Sequence, residues 1–102
     1  MLKHINDADE FSEAIEKGTV LVDFYATWCG PCSMLTPIIE KIAAEHTEIE
    51  VIKVDIDKGS ELAAKYRISA VPTLMVFKDG KQVNHGMGYM PEANILRLLE
   101  AK

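Results

Sequence analysis

Residues 19–32 decide the fold of this chain, and they read TVLVDFYATWCGPC. The first eight of these residues form a nearly continuous apolar run rich in β-branched and aromatic side chains, which is typical of a strand covered on both faces. After the two cysteines the apolar residues recur at helical spacing: Leu35, Ile38, Ile39, Ile42 and Ala43. The segment therefore predicts a buried strand that ends just before the cysteines and a long helix that begins near them.

The rest of the chain continues the alternation of strands and helices. Further strands are predicted at 2–5, 49–56, 73–78 and 81–88, and the Asp79-Gly80 pair between the last two predicts a two-residue hairpin. Further helices are predicted from the candidate caps Asn6 and Asp7 to Gly18, over 60–66, and from about Pro91. We expect a single α/β domain over residues 1–102, with a central mixed five-stranded sheet flanked by four helices.

Composition and charge exclude several classes of function. The 102 residues carry a net charge of -5 and no block of Lys or Arg, so nucleic acid is not an expected partner. No apolar run approaches the roughly 18 to 20 residues of a membrane helix, so no membrane partner is expected. The first ten residues lack the apolar core of a secretory signal, and we therefore expect a cytoplasmic protein.

Cys29 and Cys32 are the only cysteines, and they fall where the predicted strand gives way to the helix. The N-terminus of a helix presents unpaired N–H groups and a positive dipole end, which stabilise a thiolate, the nucleophile of disulfide exchange. Pro31 suits a first helical turn, and Gly30 leaves space for a partner chain. We expect Cys29 to be exposed and to attack, and Cys32, inside the first turn, to resolve the mixed disulfide.

The cysteine pair has two other interpretations. A Cys-X-X-Cys supplies half of a tetrahedral zinc site, but the chain has no second pair, and its three histidines are scattered at 4, 46 and 85. Two inert buried cysteines are also possible in a cytoplasmic protein. The strand-to-helix context and the string WCGPC favour redox chemistry, so we expect no metal.

Asp23 and Lys53 are charged residues inside apolar strands. Asp23 interrupts the run before the cysteines, so its carboxyl should be desolvated with a raised pKa, and it becomes a candidate general acid or base. The alternative is a carboxylate hydrogen-bonded to nearby backbone. Lys53 is a candidate charge neighbour of Asp23, but a solvated lysine at a strand end fits equally well. Both alternatives remain open from the residues alone.

Pro72 precedes the predicted strand 73–78. Proline at such a position is a turn residue in most proteins, and only about one X-Pro bond in twenty is cis. Spacing alone therefore predicts a trans peptide bond between Val71 and Pro72.

The string from Trp28 to Cys32 resembles the active site of the thioredoxin family. The resemblance extends over roughly residues 3–99 and includes VDFYA at 22–26, KVD at 53–55, VPTL at 71–74 and KDG at 78–80, together with Pro37 and Gly88. A bare Cys-X-X-Cys is common to unrelated proteins, but the Gly-Pro pair inside it is typical of thioredoxins rather than of glutaredoxins or disulfide isomerases. The chain therefore resembles this family in more than its two cysteines.

The resemblance implies roles for the residues around the cysteines. Cys29 is the nucleophile, Cys32 the resolving thiol, Asp23 the buried acid serving Cys32, and Lys53 the modulator of Asp23. Gly30 and Pro31, between the two cysteines, tune the redox potential.

The resemblance also implies a docking surface for substrate, and it reverses the expectation for Pro72. In the family this proline is cis and faces the disulfide, so that the backbone of Val71 pairs with an extended substrate segment. Trp28, Pro72 and Gly88, with Tyr89 beside them, complete an apolar surface.

The function that the resemblance implies is that of a thiol-disulfide oxidoreductase, a protein-disulfide reductase that carries electrons and maintains cell redox homeostasis. Its partners are disulfide-containing proteins and a thioredoxin reductase, a flavoprotein drawing on NADPH; the chain itself needs no cofactor and is expected to be a monomer. Tyr25, Thr27 and Ser33 depart from the family pattern, and Ser33 removes a common positive charge beside the cysteines.

Two rival functions use the same scaffold. An oxidant or isomerase would have a more stable thiolate, and its potential against glutathione would reveal it. A redox-independent binding subunit would keep its biological function when both cysteines are replaced by serine.

Overall fold

The computed structural model describes residues 2–102, which contain five strands and four helices. In chain order they are β1 (Leu2–His4), α1 (Ala8–Ala14), β2 (Thr19–Tyr25), α2 (Gly30–Glu45), β3 (Glu50–Asp55), α3 (Ser60–Lys65), β4 (Thr73–Lys78), β5 (Lys81–Met87) and α4 (Glu92–Leu99). The expected α/β class and its mixed five-stranded sheet with four helices are confirmed.

The sheet places the strand that leads to the cysteines at its centre. The strand order is β1-β3-β2-β4-β5, in which β1, β3 and β2 are parallel and β4 runs antiparallel to both β2 and β5. Asp23 of β2 therefore has Lys53 of β3 on one side and Leu74 of β4 on the other. Because β2 has a neighbour on both edges and helices on both faces, its side chains are removed from water.

A separate apolar core fills each face of the sheet. On one face the core residues come from α1, α3 and the strands, and they include Phe11, Val22, Phe24, Ile52, Leu62 and Phe77. On the other face α2 and α4 supply the partners of the strands, and these include Leu21, Leu35, Ile39, Leu74, Val76 and Ile95. The apolar positions predicted for α2 thus bury the helix against the sheet and fix its N-terminus beside the end of β2.

The first helix is shorter than predicted. Asp7 is its cap, as proposed, and the Asp7 side chain accepts a hydrogen bond from the N–H of Glu10 at 2.9 Å. However, α1 ends at Ala14 rather than near Gly18. The chain needs the intervening residues to turn back, and Gly18, with φ 73°, completes that turn at the entry to β2.

The predicted hairpin between β4 and β5 is confirmed. Asp79 has φ 50° and Gly80 has φ 86°, so both central residues lie in the left-handed region, as a type I′ turn requires. The Asp79 carboxylate also accepts a hydrogen bond from the N–H of Gly18 at 2.9 Å, and the Asp79 N–H donates to the Gly18 carbonyl at 3.0 Å. The turn is thereby fastened to the start of β2.

Helix α2 runs from Gly30 through Pro37 to Glu45. Pro31 occupies its first turn, where the missing N–H has no helical partner to lose. The kink expected at Pro37 stays a prediction. None of the helices within residues 2–102 combines the length and the hydrophobicity that crossing a lipid bilayer requires.

Candidate active site

Cys29 and Cys32 form a disulfide at the junction of β2 and α2, with their Cα atoms 5.3 Å apart. Cys29 is the N-cap of α2, with extended backbone at φ -101° and ψ 115°, and Cys32 lies in the first turn. The Cys29 sulfur accepts a hydrogen bond from the N–H of Cys32 at 3.2 Å. This N–H and the positive end of the helix dipole lie at the Cys29 sulfur, and the thiolate expected there after reduction stays a prediction.

The expectation that Cys29 is exposed is wrong for this oxidised state. Cys29 is 6% exposed and Cys32 3% exposed, because both pack in a small apolar cluster with Ala26. Tyr25, Ile56 and Val71 lie against this cluster, and Cys29 Sγ is 3.7 Å from the carbonyl oxygen of Val71. Cys29 is the more exposed of the two buried cysteines.

Asp23 is a buried acid, as predicted. It is 1% exposed, and its Oδ1 atom has no hydrogen-bond partner. Burial raises the pKa of Asp23 from 3.8 to about 6, and attraction to Lys53 offsets only part of that rise. The alternative of a carboxylate satisfied by neighbouring backbone does not hold for Oδ1. The carboxyl therefore changes protonation near neutral pH.

Lys53 is buried beside Asp23, so the alternative of a solvated lysine is wrong. It is 6% exposed, and its register partner on β2 is Asp23. The Lys53 ammonium donates a hydrogen bond to Thr36 Oγ1 at 3.3 Å, and its nitrogen lies 4.5 Å from the centre of the Tyr25 ring. The ammonium thus rests between α2 and Tyr25.

Thr36 was missed by the sequence reasoning. Its hydroxyl donates to the carbonyl oxygen of Cys32 at 3.2 Å while it accepts from Lys53. A helical threonine often bonds the carbonyl four residues before it, so the spacing from Cys32 to Thr36 offered a local signal. The contact with Lys53 joins two distant segments and had no local signal.

Trp28 lies beside the cysteines at the surface, where it is 70% exposed. Its Nε1 donates a hydrogen bond to Asp57 Oδ2 at 3.0 Å. The loop after β3 holds Asp57 in place, because the Asp57 N–H donates to Asp55 Oδ1 at 2.8 Å. Sequence reasoning identified Trp28 but missed Asp57.

An open groove of about 290 Å³ runs beside the indole, and it is lined by Trp28, Ile56, Ile68, Ser69, Ala70 and Val71.

The peptide bond between Val71 and Pro72 is cis. The expectation of a trans bond from spacing is therefore wrong, since the frequency of trans bonds says nothing about one tertiary context, and the expectation from the resemblance is confirmed. The carbonyl of Pro72 accepts a hydrogen bond from the Gly88 N–H at 2.8 Å. Gly88 has φ 85°, which favours glycine. Val71 thus contacts the Cys29 sulfur, and the hydrogen bond to Pro72 holds Gly88 next to the same loop.

Gly30 and Pro31, the two residues between the cysteines, are exposed. No heavy atom lies within 4 Å of the position that a Cβ would take on Gly30, so the space above it is open. Ser33 is also exposed, and its N–H donates to the carbonyl of Cys29 at 3.2 Å.

Across residues 2–102, no three or more His, Cys, Asp or Glu side chains lie together as metal ligands would.

The disulfide, the buried acid and the cis-proline together repeat the arrangement that the resemblance implied, and comparison with known proteins decides the family. The thioredoxin family model matches residues 2–101. The chain belongs to the thioredoxin family. A thioredoxin of Staphylococcus aureus is 43% identical over 97 residues, which cover 94% of this chain and 92% of that protein.

Solved thioredoxins share the fold as well as the sequence. The thioredoxin of Plasmodium falciparum superposes with a TM-score of 0.89 at 35% identity, covering 96% of both chains. A mutant thioredoxin of Halobacterium salinarum gives a TM-score of 0.90 at 38% identity, covering 97% of this chain and 88% of that one. With a Cys-X-X-Cys disulfide in the family's position, this chain is a thiol-disulfide oxidoreductase with protein-disulfide reductase activity.

Proposed function

We propose that Cys29 is the attacking thiol of this thioredoxin-family protein and that Cys32 resolves the mixed disulfide. The observation that carries the assignment is the hydrogen bond from the Cys32 N–H to the Cys29 sulfur at the start of α2. This contact stabilises negative charge on Cys29 and not on Cys32.

The reaction has two exchange steps. The Cys29 thiolate attacks one sulfur of the substrate disulfide; that S–S bond breaks, the other substrate sulfur leaves as a thiolate and takes a proton from water, and a mixed disulfide forms. Cys32 then loses its proton to the Asp23 carboxylate and attacks the Cys29 sulfur; the mixed disulfide breaks, and the second substrate sulfur leaves as a thiolate. This thiolate takes a proton from water, and Asp23 returns its own proton to water. Two electrons pass to the substrate, and the disulfide between Cys29 and Cys32 is restored.

Asp23 is suited to this role because its pKa of about 6 lets it accept a proton at neutral pH and release it again. Lys53, opposite Asp23, modulates that proton affinity. The hydrogen bonds from Lys53 to Thr36 and from Thr36 to the Cys32 carbonyl connect the modulator to the resolving cysteine.

The substrate segment is proposed to lie across Trp28, Val71, Pro72 and Gly88. Trp28 offers a large exposed apolar face, and Val71 offers backbone groups next to the Cys29 sulfur, which suits pairing with an extended chain. Gly30 leaves the approach to the sulfur open, and with Pro31 it tunes the potential by shaping the first turn of α2.

The wider role follows from the family. We propose that residues 1–102 act as one domain and as a monomer, without a bound cofactor, in electron transport and redox homeostasis of the cytoplasm. The partners are disulfide-containing proteins and a thioredoxin reductase that restores the dithiol.

Reduction of the interchain disulfides of insulin, with dithiothreitol as recycling reductant, tests the proposal. The wild-type protein should accelerate precipitation of the freed B chain, and Cys29→Ser should abolish the acceleration. The double variant Cys29→Ser, Cys32→Ser separates this function from redox-independent binding, because only a binding subunit keeps its biological function without both thiols. Full insulin reduction by Cys29→Ser would contradict the assignment of the nucleophile.

A further inference from the structure

The buried side chains of Asp23 on β2 and Lys53 on β3 do not form an ion pair with each other. Asp23 and Lys53 are register partners on adjacent strands, and both are almost fully buried. Nevertheless Asp23 Oδ1 has no hydrogen-bond partner, and the Lys53 ammonium donates to the hydroxyl of Thr36. A buried carboxylate oxygen without a partner is costly, and the nearest buried cation would ordinarily supply one.

Two side chains hold the ammonium away from the carboxylate. Thr36 draws it towards α2 by accepting its hydrogen bond at 3.3 Å, and the ring of Tyr25 lies beneath it at 4.5 Å. Thr36 is itself fixed, since its hydroxyl donates to the Cys32 carbonyl at 3.2 Å. The two contacts give the Lys53 ammonium partners other than Asp23.

We propose that Thr36 and Tyr25 are positioning residues that compete with Asp23 for the Lys53 ammonium, and so keep the Asp23 carboxyl unpaired and available to the proton of Cys32. The proposal rests on the proposed role of Asp23 in serving Cys32. It makes Thr36, which does not touch the substrate, a determinant of the pH at which the resolving step operates.

Loss of the competing Thr36 hydroxyl should lower the pKa of Asp23. If the hydroxyl of Thr36 is lost, the ammonium loses its acceptor, and the free Oδ1 of Asp23 becomes the best remaining one. Bringing the ammonium within hydrogen-bonding distance of Oδ1 strengthens its attraction to the ionised carboxylate, and an opposite charge that close should lower the pKa of Asp23 by about one unit. A role confined to packing would not move this titration.

Other titratable groups face the same pocket. Burial and the charges of Asp55 and Asp23 raise the pKa of the Tyr25 hydroxyl on β2. The His4 ring on β1 contacts the Tyr25 ring edge-on, with the ring centroids 6.4 Å apart. On α2 the group that contacts Lys53 is the uncharged hydroxyl of Thr36, and the register neighbour of Asp23 on β4 is the uncharged Leu74. All of the titratable groups remain in variants of Thr36, so a shift between variants reports the position of Lys53.

The test is a titration of the Asp23 side-chain carboxyl by ¹³C NMR in the oxidised protein, where the cysteines do not titrate. Thr36→Val keeps the shape of the side chain and removes the hydroxyl, and it should lower the titration midpoint by about one pH unit. Thr36→Ser retains the hydroxyl and should leave the midpoint at the wild-type value. A midpoint in Thr36→Val that is unchanged or higher would overturn the proposal.

Tyr25 supplies a second pair of variants that does not depend on the first. Tyr25→Phe keeps the ring beneath the ammonium and should retain the wild-type midpoint after the small effect of the lost hydroxyl, whereas Tyr25→Leu should lower the midpoint in the same direction as Thr36→Val. If Tyr25→Leu raises the midpoint or leaves it equal to that of Tyr25→Phe, the ring does not hold the ammonium, and its part of the proposal fails.

The same proteins separate this inference from the proposed function. If Thr36→Val shifts the Asp23 titration but Asp23→Asn leaves the pH profile of insulin reduction unchanged, the competition for Lys53 is real and the catalytic role of Asp23 is wrong. The opposite result is that Asp23→Asn removes the pH dependence of insulin reduction but Thr36→Val leaves the Asp23 titration unchanged. In that case Asp23 serves Cys32, and Thr36 does not position Lys53.

Discussion

Replacing Asp23 by asparagine should stabilise the oxidised protein at neutral pH. The buried carboxyl has a pKa of about 6 against 3.8 in an exposed setting, a difference of about two units. Each unit corresponds to about 1.4 kcal/mol, so ionised Asp23 reduces the free energy of unfolding by about 3 kcal/mol. Asparagine has nearly the same shape and carries no charge, so it should recover this free energy.

The sign of the pH dependence follows from the raised pKa. Between about pH 4 and pH 6 the folded protein holds the Asp23 proton more tightly than the unfolded chain, so this group makes stability fall as the pH rises. Below about pH 4 both states are protonated, and the wild-type protein and Asp23→Asn should be equally stable. Above about pH 6 the difference should reach its full value.

Urea unfolding of both oxidised proteins at a series of pH values measures this difference. About 3 kcal/mol shifts the unfolding midpoint by roughly 2 M in urea for a domain of this size. The matched control is Asp55→Asn, a second buried aspartate on the neighbouring strand whose Oδ1 accepts the N–H groups of Asp57 and Lys58. Asparagine keeps the accepting Oδ1 but carries no charge, so the two hydrogen bonds lose their charge assistance and the control should be destabilised by about 1 kcal/mol.

Two results would refute the reasoning about Asp23. One is a stability difference between Asp23→Asn and the wild-type protein that does not change with pH, because linkage to the carboxyl requires a change. The other is an Asp23→Asn protein that is less stable than the wild type above about pH 6, because the carboxylate would then be a net stabilising group.

Three further predictions concern the surface around the cysteines. Ser33→Lys should lower the pKa of the reduced Cys29 thiol by a fraction of a unit and make the couple slightly more oxidising, both less so at high salt, as thiolate absorbance and redox equilibration would show. Asp57→Ala removes the hydrogen bond to Trp28, so the fluorescence of this single tryptophan should change and the KM for insulin should rise a few fold at nearly constant kcat. Gly88→Ala should cost about 1 kcal/mol in urea unfolding, because φ is 85° there.

Each of these predictions has its own contradicting result. A Cys29 pKa that rises in Ser33→Lys would show that position 33 does not act through its charge. Unchanged fluorescence in Asp57→Ala would mean that Asp57 does not hold the indole. Gly30→Ala is the control for Gly88→Ala, since the space around Gly30 is also open but its φ is not in the left-handed region; equal losses in the two variants would remove backbone strain as the cause.

Local patterns predicted most of the fold because strands and helices depend on short-range spacing. The apolar run before the cysteines and the helical recurrence after them placed β2 and the start of α2 close to where the structure has them, and Asp79-Gly80 placed the hairpin. The predicted end of α1 was wrong, because the turn at Gly18 depends on a contact with Asp79, 61 residues away.

Apart from what the family resemblance implied, the site was predicted only where the chemistry of one residue was sufficient. Asp23 was identified because a carboxyl inside an apolar strand is desolvated wherever the chain goes next. The partners of Trp28 and Lys53 were missed, because Asp57 and Thr36 lie 29 and 17 residues away from them and no periodicity links the pairs. The burial of Cys29 was missed for the same reason, since Ile56 and Val71 come from other segments of the chain.

The division of roles between the two cysteines is the central claim, and trapping the mixed disulfide tests it most directly. Each reduced single-cysteine variant, Cys32→Ser and Cys29→Ser, is mixed at neutral pH with a small peptide disulfide, and the covalent adduct is followed by mass spectrometry. The account predicts that Cys32→Ser accumulates a stable adduct on Cys29 at least about 100-fold faster than Cys29→Ser forms one on Cys32. Equal rates, or a faster adduct on Cys32, would contradict it.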